Sequence, residues 1–197
     1  MFRKLFAYLY DRGMKKKEKT LLGSKRAELL WGISWNILEI WSGTWINFQY
    51  YTNQAKVTAI EPSVYMSEHR VWEKDIHILP YTIAEYIQTI EQWSPWFDYI
   101  VCTLVLCSIP EYEKEIKNLQ LLLNPWGTII VMEHILSDNT YIAYIQKLCA
   151  PLQKCLADGC HLDRQTDVVF KDSDMECLYE EYFGGGNVFY IGKYVKH

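Results

Sequence analysis

The sequence lacks several features that would each point to a class of protein. It has no apolar run near the ~20 residues that span a bilayer, and its N-terminus lacks the apolar stretch and cleavage site of a signal peptide. Its 6 cysteines include no Cys-x-x-Cys pair, so no zinc pattern is present. Basic residues are not in excess, since the net charge is -4, which argues against a surface for nucleic acid.

Glycine is also scarce, with 10 in 197 residues against 8 tryptophans. The rest of the composition is ordinary: 50% of residues are hydrophobic and 22% are charged, which excludes a disordered chain. The length predicts one domain over residues 1–197, with an N-terminal helical segment at 1–34 and an α/β core at 35–197.

Cysteine usage and the N-terminal pattern bear on location. Cysteines inside apolar runs behave as small hydrophobic residues, so we expect a reducing, cytoplasmic setting, although an even cysteine count leaves disulfides open. Phe2, Leu5, Phe6 and Leu9 repeat at helical spacing and predict a short amphipathic helix. Peripheral contact with a membrane stays open, and the oligomeric state does not follow from the sequence.

Short β-rich runs alternate with helical ones, as in an α/β sheet. The prediction is a doubly wound, mostly parallel seven-stranded sheet with an antiparallel C-terminal hairpin. The predicted strands are 36–40, 57–60, 76–79, 97–106, 128–132, 176–183 and 188–195. The predicted helices are 15–30, 46–51, 63–70, 83–91, 108–122 and 140–156, and residues 92–96 are predicted to form a turn.

Two carboxylates stand where a nucleotide would bind in such a sheet. Ligands of open α/β sheets lie at the carboxyl ends of the strands, so the segment from Glu39 to Asn47 is the informative one. Glu61 ends the second strand, where a carboxylate can accept hydrogen bonds from both hydroxyls of a ribose. An ordinary strand-end carboxylate is the alternative.

These residues resemble a known family. Glu39-x-x-x-Gly43-Thr44-x-x-Asn47, followed by Ala59-Ile60-Glu61-Pro62-Ser63 and Met66, is similar to the nucleotide loop of class I S-adenosylmethionine-dependent methyltransferases, whose pattern is acidic-x-Gly-x-Gly-x-Gly. The runs at 97–108, 123–127, 133–134 and 158–164 resemble the branch of small thiol methyltransferases and quinone-biosynthesis methyltransferases.

The resemblance implies S-adenosylmethionine as cofactor and a small, apolar methyl acceptor, either a thiol or a phenol or quinol oxygen. It places Glu85 near the adenine edge, and Thr103 and Leu104 near the methionine part of the cofactor. The alternatives are that Glu85 is an ordinary surface carboxylate and that Thr103 and Leu104 are core strand residues without a function. The implied cofactor-binding residues are Glu39, Trp41, Gly43, Thr44, Trp45, Glu61, Pro62, Met66, Ala84, Glu85, Thr103 and Leu104.

Other candidates are weaker. His134 could touch substrate, and the pair Tyr10-Asp11 resembles a family pair that closes over the cofactor, but a structural histidine and an ordinary helix end are favoured. Cys160-His161 with Cys155 fits no metal pattern, and the run 158–164 is expected to shape the acceptor pocket. A thiol supplies thiolate without a dedicated base, so no catalytic residue is assigned.

Tryptophan replaces glycine at the key positions. Trp41 and Trp45 stand at the first and third motif glycines, Trp126 stands at a glycine of the branch, and Trp31 and Trp35 precede the first strand where relatives have glycine. Our hypothesis is that these codons are UGA, which some genetic codes read as glycine. Five such changes would bring the glycine content to the usual ~7%.

Two alternatives remain. If Trp41 and Trp45 are genuine, their indoles would fill the cofactor cleft, and the domain would be an inactive protein of the same fold. A nicotinamide enzyme is the other alternative, but its Gly-x-Gly-x-x-Gly fingerprint would need glycine where Ile46 stands.

Overall fold

The computed structural model describes residues 18–43, 45–63, 74–90, 96–156 and 159–197. They divide into two compact units, residues 1–97 and 98–197. Several predictions lie outside the described residues: Thr44, Met66, the pair Tyr10-Asp11, the helix after Ser63 and most of the turn at 92–96. Nothing in the described residues forms a helix long and apolar enough to cross a bilayer.

The first unit is built around three parallel strands. Strand β2 pairs with both neighbours, with Lys56 opposite Asn36 on one side and opposite Asp75 on the other. Strands β1 and β2 contribute fully buried apolar side chains such as Ile37, Leu38 and Ile60, as expected for strands in a covered sheet. The elements are a π-helical turn (Glu18–Leu22), α1 (Gly23–Leu30), β1 (Asn36–Ile40), β2 (Lys56–Ile60), β3 (Asp75–Leu79) and α2 (Ile83–Thr89).

The second unit holds most of the remaining strands and helices. Its core includes Ile129 to Met132 of β5 and Tyr190 and Ile191 of β7, all at most 1% exposed. Its elements, counting β4 which starts at the boundary, are β4 (Phe97–Thr103), α3 (Tyr112–Leu121), β5 (Leu123–His134), α4 (Thr140–Leu156), α5 (Thr166–Lys171), β6 (Glu176–Phe183) and β7 (Phe189–Val195).

The seven strands form one sheet in the order β3-β2-β1-β4-β5-β7-β6. Strand β7 is antiparallel to both β5 and β6, and β6–β7 is the predicted C-terminal hairpin. The predicted fold class, a mostly parallel seven-stranded α/β sheet with an antiparallel end, is therefore confirmed.

The predicted helix at 46–51 is wrong, because this segment is a series of turns. Its backbone bonds span three residues, from Phe48 N–H to the Trp45 carbonyl (3.3 Å) and from Tyr50 N–H to the Asn47 carbonyl (2.9 Å). The Lys74 ammonium donates hydrogen bonds to the carbonyls of Phe48 and Tyr51 at 2.8 and 2.6 Å. These carbonyls are the ones that a continuing helix would need.

Other elements also differ from the prediction, and the helix predicted at 108–122 starts only at Tyr112. Strand β4 ends at Thr103 rather than at 106, because Leu104 turns into the left-handed region with a φ of 56°. Strand β5 starts at Leu123 rather than at 128, where Trp126 N–H donates to the Lys196 carbonyl and extends the ladder with β7. Helix α5 was not predicted, since its six residues are too few for a helical pattern to show.

Candidate functional site

The loop after β1 alternates through the left-handed region of backbone conformation. Trp41, Gly43 and Trp45 have φ values of 46°, 54° and 65°. Trp45 N–H closes the turn by donating to the Ser42 carbonyl at 2.9 Å. Only glycine adopts this conformation at no steric cost. The backbone therefore places its left-handed residues at the three motif glycine positions predicted from the sequence.

The two tryptophan side chains of this loop have different surroundings. Trp45 is 3% exposed and stacks on Phe48 with ring centroids 6.5 Å apart. The indole N–H of Trp41 is buried and has no hydrogen-bond partner among the described residues. A buried donor without an acceptor costs about 1–3 kcal/mol.

Glu61 binds this loop to the end of β2. Its side chain is 4% exposed, and its two oxygens accept from Gly43 N–H at 2.9 Å and from Ser63 N–H at 2.8 Å. The carboxylate therefore lies beside the middle left-handed residue of the loop. Pro62, the next predicted residue, is half-buried.

Glu39 is the centre of a buried polar network that the sequence did not reveal. Its carboxylate accepts from the Asn47 amide at 2.9 Å and from the Tyr51 hydroxyl at 2.5 Å. Asn47 in turn accepts from Arg26, whose guanidinium bonds Glu18 at 2.8 Å. Burial raises the pKa of Glu39 to about 7, although the bonds from Tyr51 and Asn47 oppose the rise. The only sequence signal was an acid inside an apolar strand.

Glu85 and Ala84 are exposed on the first turn of α2. Glu85 closes a capping box, accepting from the Thr82 backbone N–H at 2.8 Å while its own N–H donates to the Thr82 hydroxyl at 3.2 Å. The hydrogen bond from the Thr82 backbone lowers the pKa of Glu85. Capping the helix is a structural role, as in the surface-carboxylate alternative for Glu85, and it needs no ligand.

The loop after β4 is held by a buried carboxylate. Thr103 ends the strand, and Leu104 donates its N–H to the Met132 carbonyl at 2.7 Å. Glu133, 0% exposed, then accepts from the backbone N–H groups of Val105 at 2.8 Å and Leu106 at 3.0 Å. Burial raises the pKa of Glu133 to about 8, against the opposing effect of these backbone bonds.

The segment at 159–164 packs on this same loop. The His161 N–H donates to the Cys107 carbonyl at 2.9 Å, and the Arg164 guanidinium donates to the carbonyls of Leu106 and Ile109. A hydrogen bond with Cys160, together with burial, holds the pKa of the Cys107 thiol well above its ordinary range. Sequence reasoning placed this segment near the acceptor but missed Glu133 and Arg164 as its supports.

His134 follows Glu133 at the end of β5. Its ring meets Phe189 edge-on, with centroids 5.3 Å apart. Ring packing of this kind fits the structural role that the sequence favoured for this histidine.

The tryptophans of the whole chain show the same conformational bias as the loop. Six of the 8 tryptophans lie in the described residues, and four of these six have positive φ. Only a few per cent of non-glycine residues do so, and Asn, Asp and His are enriched several-fold among them. Trp31 is different, with a φ of -63°. The four are Trp35 (73°), Trp41 (46°), Trp45 (65°) and Trp126 (66°).

Comparisons with known proteins agree with the fold. A model of the family described as methyltransferase domain matches residues 5–169. Thiol S-methyltransferase TMT1B of Rattus norvegicus is 34% identical in an alignment of 182 positions that covers 84% of this chain and 71% of the rat protein. Thiol S-methyltransferase TMT1A of Homo sapiens is 27% identical over 82% of this chain and 68% of its own. The N-methyltransferase NodS of Bradyrhizobium japonicum, solved with S-adenosyl-L-homocysteine, superposes with a TM-score of 0.61 at 13% identity, over 88% and 86% of the two chains.

Proposed function

Since this chain belongs to the methyltransferase domain family, we propose that it transfers the methyl group of S-adenosylmethionine to the sulfur of a small apolar thiol. The rat and human relatives are named thiol S-methyltransferases, which supports sulfur as the acceptor atom. A phenol or quinol oxygen would need a general base beside it, and no such base stands out in the sequence.

The backbone of the first unit fits the cofactor, whereas two of its side chains do not. The left-handed run at 41, 43 and 45 is the conformation that a nucleotide loop uses to bring bare main chain close to a ligand. We assign the ribose hydroxyls to Glu61, which already lies beside Gly43. We infer that a loop open to the cofactor would leave no room for the indoles of Trp41 and Trp45.

We therefore propose that the native residues at 35, 41, 45 and 126 are glycines, encoded by UGA. The observation that carries this proposal is the positive φ of all four tryptophans. Each non-glycine residue in this conformation costs about 1–2 kcal/mol, so four together are a large fraction of the stability of a domain. The backbone at Trp31 gives no reason for glycine.

The remaining cofactor assignments rest on the resemblance. Ala84 and Glu85 are assigned to the adenine edge, and Thr103 and Leu104 to the methionine part. Glu39 is assigned a positioning role, because its carboxylate accepts hydrogen bonds from Asn47 and Tyr51 and so fixes the turns at 46–51. Thr44, Met66 and Pro62 are assigned from the motif alone.

The reaction requires alignment more than proton transfer. S-adenosylmethionine, when bound, would supply a methyl group already activated by its sulfonium. The acceptor thiol would lose its proton to water, and its thiolate would form the new sulfur–methyl bond as the methyl–sulfonium bond breaks and S-adenosylhomocysteine leaves. The chain contributes fixed positions and exclusion of water, which can lower the barrier by up to ~7–11 kcal/mol. The buried Glu133 carboxylate serves this end by fixing the N–H groups of Val105 and Leu106.

Two chains test the cofactor site: the printed sequence and the same sequence with W35G, W41G, W45G and W126G. Calorimetric titration with S-adenosylhomocysteine should show binding by the glycine chain and at least about 100-fold weaker binding by the tryptophan chain, because the indoles block the loop. Absence of binding by the glycine chain would contradict the proposal. Mass spectrometry of the natural protein reads residues 41 and 45 directly, and tryptophan there would favour the inactive alternative.

The acceptor is tested on the glycine chain with matched alkyl thiols and phenols. We expect methylation of the thiol, with a rate that rises with pH toward the thiol pKa near ~8.5, because the thiolate is the nucleophile. If the protein methylates the phenol and leaves the thiol unchanged, the methyltransferase function stands and the assignment of a thiol as the acceptor is wrong.

A further inference from the structure

Helix α4 is packed on the second unit mainly through small and polar residues. Ala150 and Gln146 are buried on its inner side, and Ala143 and Gln153 are half-buried there with Ile142. The Gln146 amide accepts from Ser137 N–H at 2.8 Å and donates to the Ile135 carbonyl at 2.9 Å. Hydrogen bonds from one amide therefore replace part of the apolar packing that usually fixes a surface helix.

The large apolar residues of α4 lie on its solvent side instead. Five of the 13 exposed large hydrophobic residues of the described chain belong to this one helix, four of them at the spacing of a single helical stripe. Clusters of this kind mark interaction surfaces, whereas single exposed apolar residues do not. The five are Tyr141 (73% exposed), Tyr144 (66%), Ile145 (41%), Leu148 (69%) and Leu152 (62%).

The charges beside this stripe have one sign. Lys147 and Lys154 are both exposed and stand seven residues apart, which puts them on the same flank of the stripe. The helix contains no aspartate or glutamate, although the net charge of the chain is -4. A second copy docked through the same face would bring lysine against lysine with no carboxylate of either helix to compensate.

We propose that the outer face of α4 lies in the interface of an anionic lipid bilayer. Leucine, isoleucine and tyrosine side chains would enter the acyl boundary while the lysines reach phosphate or carboxylate groups of the lipids. Helix α4 thus turns its polar side to the body of the protein and its apolar side to solvent, as expected of an interfacial helix on a folded domain. The inference does not depend on the proposed methyl transfer.

Co-sedimentation of the full chain with vesicles tests the surface. The variant L148S/L152S should partition about tenfold or more weakly than the parent onto phosphatidylcholine vesicles with about 30% phosphatidylserine. The matched control is L121S/L178S, whose leucines are 69% and 56% exposed outside α4 and whose loss should leave binding unchanged. All three proteins share residues 1–17, so the difference isolates α4.

The double variant K147Q/K154Q tests the contribution of the lysine charges. It should weaken binding to phosphatidylserine vesicles about fivefold per lysine and leave binding to pure phosphatidylcholine unchanged. All substituted side chains are exposed, and circular dichroism checks that the variants fold. Equal binding by L148S/L152S and the control would overturn the proposal. So would a parent dimer in light scattering that L148S/L152S converts to monomer, which would assign the face to a second copy.

Discussion

The loops after β1 and after β4 leave their strands in the same way but are stabilised differently. Each turns through a left-handed residue that is not glycine, Trp41 in one and Leu104 in the other. Leu104 N–H bonds Met132, and the next two N–H groups bond the Glu133 carboxylate. At Trp41 the strain is accompanied by a buried indole N–H without a partner among the described residues.

The comparison separates two meanings of a positive φ. At Leu104 three consecutive backbone donors reach fixed acceptors, so the conformation is stabilised by its surroundings and leucine is tolerated. At Trp41 the next two backbone donors, Ser42 and Gly43, also reach acceptors, the Ile60 carbonyl and the Glu61 carboxylate, but the side chain adds a buried indole N–H without a partner among the described residues. One left-handed residue thus does not identify a missing glycine. The proposal rests instead on four positive φ values that fall on one residue type, at positions where the family that the sequence resembles has glycine.

Removing Glu133 should produce the largest change in stability, because this side chain supports the loop after β4 through two buried hydrogen bonds. We expect E133A to lower the free energy of unfolding by about 3–5 kcal/mol, since it strands the buried N–H groups of Val105 and Leu106. Urea denaturation measures the loss. E133Q keeps an acceptor oxygen and should cost less, and a loss below about 1 kcal/mol in E133A would mean that the loop is held by other contacts.

The pH dependence should be the next largest effect. The folded-state pKa values of Glu39 and Glu133, about 7 and about 8, both exceed the ordinary value of 4.5. The stability they contribute is fully present below that value and is lost as the pH rises through 7 and 8. Each of the two groups should therefore lower the free energy of unfolding by on the order of 3 kcal/mol between pH 5 and 8.

Denaturant titrations at several pH values check this slope. The matched variant is E133Q, which cannot ionise and should flatten the curve in its upper part, leaving the portion due to Glu39. A wild-type stability that is constant or rising over this range would contradict the raised pKa values.

Glycine at the exposed left-handed positions should have a smaller, stabilising effect. W35G and W126G remove left-handed strain at side chains that are 66% and 70% exposed, so little packing is lost apart from the contact of Trp126 with His197. Each should raise the free energy of unfolding by about 1 kcal/mol. W31G is the control, because Trp31 is 77% exposed but has a negative φ. Thermal unfolding should show W31G as neutral or destabilised, and a gain equal to that of W35G would remove the conformational explanation.

The sequence predicted those parts of the fold that depend on local pattern. Strand β1 and helix α4 have the predicted bounds, because an apolar run and a long helical pattern are visible without knowing their neighbours. The turns at 46–51 were missed because their carbonyls are taken by Lys74, which is more than 20 residues away. No local pattern records such a partner.

The candidate site was predictable only as a motif. The spacing of Glu39, Gly43 and Glu61 identified the loop and the carboxylate beside it. The supporting network of Arg26, Asn47 and Tyr51 joins residues up to 21 positions apart, and buried polar partners of this kind are chosen by the tertiary fold. Glu133 entered the sequence analysis only as part of the resemblance at 133–134, because a carboxylate in an apolar run does not say which backbone it will bind.

The left-handed tryptophans have a consequence for gene transfer between organisms. If codon 35 is UGA, a host that reads UGA as a stop signal would release a peptide ending before Asn36, the first residue of β1. Such a fragment would contain none of the seven strands. A host that inserts tryptophan would make the full length but strain each sharp bend, so the geometry of a few turns would confine this gene to cells that share its reading of one codon.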